Sequence, residues 1–241
     1  DTRVLAALLQ RNLFETGGDW AETLSRSSER LDGSYTCTLL TRDGKLIAFR
    51  EPRGFKPLNY GELPEGYVVA SETSALKAVG VRDIQPVRAG EMIIIDSSGL
   101  KKEQFAEPKP TPCSFEHVYF SRYSSVFEGL SCSDVRIGLG RRLAQKYPAN
   151  VDFVASIPDS GRAAAVGFSH ESRIPLHEVL EINREVGRVF ILPSWMRETA
   201  MKQKYLPVES VVKGKSIVLT DDSIVRGETT RSVIDILRDA G

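Results

Sequence analysis

The fold of the second half of this chain is decided by the stretch Ser216-Ile217-Val218-Leu219-Thr220-Asp221-Asp222-Ser223-Ile224-Val225-Arg226-Gly227-Glu228-Thr229-Thr230. Its first five residues form a short, mainly apolar and β-branched run, which predicts a buried strand. Two carboxylates follow the strand, and a loop with a glycine leads into a helix predicted over residues 231–240. Strands that alternate with helices indicate a mainly parallel sheet, in which ligands bind at the carboxyl ends of the strands.

The loop after this strand combines groups that recognise a phosphorylated sugar. The first turn of the following helix offers N–H groups without partners and a partial positive charge, which favours a phosphate. Thr229 and Thr230 are predicted to cap that helix and to donate their hydroxyls to the same phosphate. Asp221 and Asp222 suit the hydroxyls of a ribose and a hydrated Mg²⁺. An Asp-Asp pair alone usually only begins a turn, but the whole combination favours a binding site.

A second strand-to-helix turn supports this interpretation. The apolar run at residues 151–157 predicts a strand, which ends in Pro158-Asp159-Ser160-Gly161-Arg162. Ser160 and Gly161 are small enough for backbone amides to approach an anion, and Arg162 supplies positive charge. Pro-Asp-Ser-Gly alone is simply a good turn sequence. Because this turn sequence follows a strand in the same domain, it predicts a second phosphate-binding site.

The first hundred residues show a different pattern. Apolar residues recur at helical spacing at the start of the chain, and a period-two alternation with an Asp43-Gly44 hairpin signal follows. The predicted elements are helices at 4–13, 20–31 and 74–79 and strands at 35–39, 45–50, 66–70 and 91–96. This pattern indicates antiparallel strands flanked by helices, an α+β half that precedes the α/β half. Residues 101–113 become Pro-rich, which predicts a connection without regular structure between one domain at 1–106 and another at 107–241.

Composition excludes several classes of protein. Lys and Arg together number 32, as do Asp and Glu, so no basic surface for nucleic acid is indicated. No apolar run approaches the roughly 20 residues of a membrane span, and no signal peptide is recognisable. Cys37, Cys113 and Cys132 are too few for a disulfide framework, which favours the cytoplasm. The chain begins without Met and ends directly after a predicted helix, so we expect it to be part of a longer polypeptide.

The segments quoted above resemble those of a known enzyme family. Residues 218–230 are similar to the phosphoribosyl pyrophosphate loop of type I phosphoribosyltransferases, and Asp-Asp-Ser-Ile-Val-Arg-Gly resembles the form found in amidophosphoribosyltransferases. The resemblance implies the C-terminal part of an N-terminal-nucleophile glutaminase fold, with antiparallel sheets and helices but without its nucleophile region, in residues 1–106. In residues 107–241 it implies a type I phosphoribosyltransferase domain with a mainly parallel sheet, incomplete at its C-terminus. Glu228 replaces the family's usual Thr, and we expect its carboxylate to point away from the phosphate.

The resemblance also assigns roles to individual residues. It implies that Ser160, Asp221 and Asp222 hold Mg²⁺. Residues 183–190 resemble the family's mobile flap, although Glu185 and Val189 replace Tyr and Thr. The residues implied in catalysis are Asp221, Asp222 and the flap arginines, Arg184 and Arg188. The residues implied to contact phosphoribosyl pyrophosphate are Ser160, Gly161, Arg162, Asp221, Asp222, Ser223, Arg226, Gly227, Thr229 and Thr230.

The front half resembles the family's glutaminase domain in residues 50–58 and 69–73, which we interpret mainly as scaffold. In the family, an N-terminal cysteine cleaves glutamine, and an Asp in a segment similar to residues 1–5 contacts the substrate's α-amino group. Asp1 is therefore a candidate glutamine contact, with a helix cap as the alternative. Cys113 stands where some members ligate a [4Fe–4S] cluster. A cluster needs four ligands, and the family's other three cysteines lie nearer the C-terminus than this sequence extends. A buried or inert thiol is therefore favoured over a cluster ligand.

The resemblance implies an amidophosphoribosyltransferase, which transfers glutamine-derived ammonia to phosphoribosyl pyrophosphate in the first committed step of purine synthesis. An ammonia-dependent phosphoribosyltransferase and a non-enzymatic phosphoribosyl pyrophosphate-binding regulator are the alternatives. A regulator is expected to lose the flap cations or the Mg²⁺ site, and the sequence keeps both. The implied partners are phosphoribosyl pyrophosphate, glutamine or ammonia, purine nucleotide feedback inhibitors, and further copies of the chain in a homodimer or homotetramer. Nucleic acid and membranes are not expected, and the chain alone is expected to lack glutaminase activity.

Overall fold

The computed structural model describes residues 2–187 and 189–241. The chain divides into two compact units, one that extends to Cys132 and one from Ser133 to Gly241. Each unit has its own hydrophobic core, and the units are described separately below.

The first unit combines antiparallel strands with helices, as its sequence pattern predicts. Its helices are α1 (Thr2–Glu15), α2 (Trp20–Ser28) and α3 (Thr73–Ala78), with a π-helical turn at Glu116–Phe120. Its strands are β1 (Thr36–Leu40), β2 (Leu46–Arg50), β3 (Asn59–Leu63), β4 (Gly66–Ala70), β5 (Ile84–Pro86), β6 (Glu91–Asp96), β7 (Gly99–Gln104), β8 (Val126–Phe127) and β9 (Leu130–Ser131). They form a four-stranded sheet of order β1-β2-β6-β7, a three-stranded sheet of order β4-β3-β5 and a small β8-β9 hairpin.

The four-stranded sheet is the middle layer of this unit. Successive side chains of a strand point to opposite faces, so β2 contributes to two cores. Ile47 and Phe49 pack with Leu9 and Leu24 of the two long helices. Ala48, between them, packs on the other face with residues of the three-stranded sheet and its flanks. A two-sided core of this kind fixes the register of β2, because a shift of one residue would exchange the two faces.

The prediction of irregular structure over residues 101–113 is partly wrong. Residues 101–104 belong to β7, which pairs with β6, and the prediction missed it because this edge strand carries Lys101 and Lys102 instead of an apolar run. The Pro-rich part is irregular, as expected, but it is attached to the first unit. Its backbone amides donate to carbonyl oxygens of the preceding β2–β3 connection: Lys109 to Pro52 at 2.8 Å, Thr111 to Arg53 at 2.7 Å and Cys113 to Phe55 at 3.1 Å.

These bonds explain why the compact units divide at Cys132, whereas the sequence suggests a domain boundary between residues 106 and 107. Residues 107–132 pack with the first unit. The assignment of homologous domains to 1–106 and 107–241 stays a prediction.

The second unit mixes parallel and antiparallel strands. Its helices are α4 (Cys132–Lys146), α5 (Arg162–Ser172), α6 (Ser194–Lys204), α7 (Glu209–Val212) and α8 (Glu228–Asp239), with a 3₁₀ turn at Val189–Ile191. Its strands are β10 (Phe153–Ser156), β11 (Leu180–Ile182), β12 (Tyr205–Pro207) and β13 (Ile217–Thr220). β10 and β13 are parallel and β11 and β12 antiparallel, so within the described ranges the expected mainly parallel sheet is a parallel pair accompanied by an antiparallel pair.

Close helix packing holds α5 behind the parallel pair. A Cβ atom on Gly140 of α4 would lie 2.0 Å from the carbonyl oxygen of Ala164, and one on Gly167 of α5 would lie 2.0 Å from that of Ile137. The two helices therefore touch backbone to backbone, which only glycine permits. Because α5 begins at Arg162, this packing also fixes the turn that precedes it. Among the described residues, no helix is both long enough and apolar enough to cross a membrane.

Candidate functional site

The two turns singled out in the sequence lie side by side in the second unit. β10 and β13 pair in register with Ser156 opposite Thr220, so both strands end at the same edge. The Ile157 amide donates to the Thr220 carbonyl at 2.9 Å, and Thr220 Oγ1 donates to the Gly161 carbonyl at 3.2 Å. A Cβ on Gly161 would lie 3.2 Å from the Cα of Asp221. The structure thus brings the predicted seats together, with Ser160 beside Gly161 in the first turn.

The acidic pair is half-buried and internally hydrogen-bonded. The Asp222 amide donates to Asp221 Oδ1 at 2.9 Å, and Ser223 Oγ donates to Asp222 Oδ1 at 2.9 Å. Burial, reinforced by the neighbouring Asp222 carboxylate, raises the pKa of Asp221 to about 6. A carboxyl whose charged form is disfavoured in this way is stabilised as a carboxylate when a cation binds beside it.

The chemistry of these groups fits Mg²⁺. This ion takes oxygen ligands and usually keeps several waters, held by one or two carboxylates together with substrate phosphates. Asp221, Asp222 and the hydroxyl of Ser160 supply such a set. Groups of three or more His, Cys, Asp and Glu side chains arranged for a metal are absent from the described residues.

The predicted cap of α8 is wrong. Gly227 occupies the cap position in the left-handed conformation, with φ +74°, and no side chain caps the helix. Thr229 and Thr230 are instead the second and third residues of α8, because the glycine conformation starts the helix earlier than the apolar periodicity indicates. Among the described side chains, none accepts from the first-turn N–H groups, and a helix start of this kind suits an anion.

The loop between the acidic pair and α8 is open to solvent. Ser223 and Arg226 are exposed, as are the apolar side chains of Ile224 and Val225, which are 71% and 88% exposed. The predicted contacts Ser223 and Arg226 therefore lie in this loop with side chains that face solvent.

Asp159 connects the first turn to the segment predicted to form the flap, a contact that the sequence did not indicate. Its Oδ1 is 3.1 Å from Nη1 of Arg162, and its Oδ2 is 3.1 Å from Nη1 of Arg184. Arg162 also reaches Glu178, whose Oε1 lies 3.2 Å from its Nε. Two of the predicted substrate-neutralising arginines are thus gathered around one carboxylate. Arg188 lies outside the described residues.

Glu228 engages the helix that follows the flap. Its Oε2 lies 3.1 Å from Nη1 of Arg197 on α6, and its side chain is 61% exposed. The orientation of Glu228 relative to a bound phosphate stays a prediction.

The first unit contains a cavity of about 680 Å³. Thr2, Tyr35, Cys37 and Lys56 are among its lining residues, and Asp1, the predicted glutamine contact, lies outside the described residues. Lys56 Nζ donates to Glu116 Oε1 at 2.7 Å on the cavity wall. Burial, with smaller effects of the charges of Glu51 and Cys37, raises the pKa of Tyr35 to about 12, so its phenol is neutral at ordinary pH.

The motif at residues 69–73, interpreted as scaffold, makes hydrogen bonds that hold two segments of the first unit together. Glu72 Oε2 accepts from the Arg122 amide at 2.6 Å and from Ser125 Oγ at 2.8 Å, and Thr73 Oγ1 accepts from the Val126 amide at 2.9 Å. These contacts fasten the chain that follows the Pro-rich segment to the start of α3.

The cysteines form no disulfide. Cys113 and Cys132 are buried and Cys37 is half-buried, and burial raises the pKa of the Cys37 thiol. The buried position of Cys113 agrees with the favoured interpretation as a buried thiol. Its role as a cluster ligand stays a prediction.

A comparison with protein families first indicates the class of domain to which the start of the chain is similar. Residues 1–78 match the family described as "Glutamine amidotransferase domain". The start of the first unit is therefore similar to part of a glutamine amidotransferase domain.

The relatives make the comparison more specific. The chain is 42% identical to an amidophosphoribosyltransferase of Archaeoglobus fulgidus over all of its own length and 53% of that protein. It is 40% identical to the amidophosphoribosyltransferase of Bacillus subtilis, again over its full length and 50% of that protein. The chain thus spans about half the length of these curated relatives.

Solved structures agree with these relatives. One of them is described as the allosteric regulatory enzyme of purine biosynthesis, and it superimposes on this chain with a TM-score of 0.88 at 39% identity. The superposition covers the whole of this chain and 51% of that structure. Another, the B. subtilis glutamine phosphoribosylpyrophosphate amidotransferase complexed with ADP and GMP, gives the same TM-score of 0.88 and is covered to 52%. The whole chain is homologous to part of an amidophosphoribosyltransferase.

Proposed function

We propose that the chain forms part of an amidophosphoribosyltransferase, which converts phosphoribosyl pyrophosphate and glutamine-derived ammonia into 5-phosphoribosylamine and pyrophosphate, with glutamate as the other product. The observation that carries the proposal is the pair of adjoining turns at the ends of β10 and β13. One turn offers small residues and arginines for a pyrophosphate, and the other offers an acidic pair and an open helix start. Phosphoribosyl pyrophosphate carries a phosphate at one end of a ribose and a pyrophosphate at the other, so it needs two seats of this kind.

The fold supports the same proposal. We assign the first unit to the N-terminal-nucleophile glutaminase fold, because its layers of antiparallel sheet and helix contain the matched glutamine amidotransferase residues. We assign the second unit to the type I phosphoribosyltransferase fold. Its parallel pair and strand-end loops support this assignment.

The side chains suggest how the site works. Asp221 and Asp222 accept hydrogen bonds from the ribose hydroxyls, while first-turn N–H groups of α8 bind the 5-phosphate. Mg²⁺, when held by Ser160, Asp221 and Asp222, supplies positive charge against the pyrophosphate. Arg162 and Arg184 add to that charge as the pyrophosphate departs. Ammonia attacks the anomeric carbon, so the protein positions and neutralises and needs no nucleophile of its own.

Flap closure completes this scheme. A closed flap excludes water, which otherwise competes with ammonia for the anomeric carbon. We assign Arg188, like Arg184, to the flap.

We propose glutamine as the nitrogen source, because residues 1–78 match a glutamine amidotransferase domain. The proposed glutamine contact is Asp1, and the cavity that includes the next residue, Thr2, supports a binding place in this unit. Ammonia as the only nitrogen source is the alternative. We further propose a cytoplasmic homo-oligomer regulated by purine nucleotides, and the relative solved with ADP and GMP supports the regulation.

Binding of phosphoribosyl pyrophosphate tests the core of the proposal. Calorimetric titration of the chain with this compound and Mg²⁺ is expected to show saturable binding. Asp221→Asn removes a carboxylate from both the ribose and the metal, so we expect at least about a tenfold loss of affinity. Asp235→Asn, an exposed change elsewhere on α8, is the matched control and should leave affinity unchanged. Absence of binding by the unaltered chain would refute the proposed function.

A further inference from the structure

Glu228 creates an electrostatic conflict at the proposed phosphate seat. It is the first residue of α8, so its side chain branches from the backbone at the N–H groups that would receive the phosphate. An acidic residue in the first turn stabilises a helix through the helix dipole. The same charge repels an anion that approaches this helix start. A phosphate can bind well there only if the carboxylate is turned aside or neutralised.

Arg197 can both turn the Glu228 carboxylate aside and neutralise its charge. Its Nη1 lies 3.1 Å from Glu228 Oε2, and its Nε donates to the Leu192 carbonyl at 2.9 Å. The guanidinium is therefore held at two points, and its side chain is only 33% exposed. α6, which carries Arg197, packs against α8. The position of the cation relative to the helix start is thus set by helix packing and by a backbone bond.

We propose that Arg197 is a positioning residue that neutralises Glu228 and holds its carboxylate toward α6, away from the first-turn N–H groups of α8. This inference rests on the proposed function, which places the phosphate at that helix start. Arg197 does not touch the phosphate in this arrangement; it acts through Glu228.

The ordinary interpretation is a surface ion pair with no effect on ligands. Exposed pairs of this kind add little to stability. The two interpretations differ in what the loss of Arg197 changes. If the pair is only structural, affinity for the phosphate does not depend on the charge of residue 228. If Arg197 compensates Glu228, removal of the Glu228 charge repairs the loss of Arg197.

The test compares affinities for phosphoribosyl pyrophosphate with Mg²⁺ by calorimetry. Arg197→Met leaves the Glu228 charge uncompensated, so we expect affinity to fall by roughly three- to tenfold. The double variant Arg197→Met with Glu228→Gln should return to within about twofold of the unaltered chain, since no charge then needs compensation. Arg197→Lys keeps a cation and should also retain most of the affinity.

Lys202→Met is the matched control. Lys202 lies on the same helix but pairs with Glu198 at 3.1 Å, so its loss removes the same charge from α6 without exposing Glu228. Its affinity should be unchanged. Glu228→Gln alone should bind at least as tightly as the unaltered chain, and this variant tests the proposal even if Arg197→Met fails to fold.

The outcomes separate the two proposals. If the unaltered chain binds but Arg197→Met binds equally well, the compensating role is refuted and the proposed function stands. The same holds if the added Glu228→Gln change does not restore the affinity lost in Arg197→Met. Weaker binding by Glu228→Gln alone also refutes the compensating role. If the unaltered chain does not bind, the proposed function fails and this inference fails with it.

Discussion

The two strand-to-helix turns of the second unit, to which we assign similar phosphate-binding roles, depend on their glycines in different ways. Gly161 is buried in a tight turn, where an added Cβ would lie 2.6 Å from the Thr220 carbonyl oxygen and 2.8 Å from that of Ile157. Gly227 ends an open loop, has φ +74°, and has nothing within 4 Å of an added Cβ. The first turn needs glycine for space and the second needs it for its backbone angle. Two neighbouring turns that each contain a glycine can therefore differ in the substitutions that this glycine tolerates.

The largest effect is expected for Gly161→Ala. The new methyl group would meet two backbone carbonyls that cannot rotate away, so β10 and β13 must shift. We expect the free energy of unfolding to fall by about 3 kcal/mol, near the upper end of typical overpacking costs. Urea denaturation measures the change. Gly138→Ala on α4, where nothing lies within 4 Å of the added Cβ, is the control and should be neutral or stabilising by about 0.5–1 kcal/mol.

A smaller effect is expected for Gly227→Ala. The site has room for the methyl group, but the left-handed conformation costs an L-residue about 1 kcal/mol. Urea denaturation should show a loss of that size, and Gly227→Asn should lose less, since Asn tolerates this conformation better than Ala. A loss as large as that of Gly161→Ala would contradict the distinction between space and angle.

The smallest effect is expected for Asp159→Asn. This substitution tests the first of the two turns by altering its charge instead of its shape. Under the proposed function, the carboxylate competes with an incoming pyrophosphate for Arg162 and Arg184, so its removal should tighten pyrophosphate binding by roughly two- to fivefold. The gain should shrink at 1 M salt because exposed charges are screened. Asp152→Asn, which removes an exposed carboxylate paired with Lys215 before β10, is the control for calorimetry. Weaker binding by Asp159→Asn would show that the bridge is needed to position the arginines.

Much of this arrangement could be predicted from local sequence. The strands Gly66–Ala70 and Glu91–Asp96 have the predicted bounds, because periodicity and flanking glycines and prolines mark their ends. The placement of both turns at the carboxyl ends of strands could also be predicted, since a strand followed by a turn and a helix has few alternatives.

Other features depend on contacts that are distant in sequence. β3 was missed because Gly61 interrupts its apolar pattern, yet an added Cβ there would lie 2.1 Å from Val81 Cγ1, so the glycine makes room for a neighbouring segment. β11 and β12 have three residues each, too few to show a period. The bond between Asp159 and Arg184 joins residues 25 positions apart, and no local pattern predicts such a pair.

The Pro-rich segment 107–113 has a consequence for association between chains. The three amides that donate to the first unit alternate with Pro108, Pro110 and Pro112, which have no amide to donate. The segment can therefore bind like a strand along one side while it offers no N–H donors from these positions on the other. A row of free donors and acceptors at a sheet edge invites pairing with another molecule. Here the prolines remove half of that row, so the segment attaches to its own unit without becoming a template for aggregation.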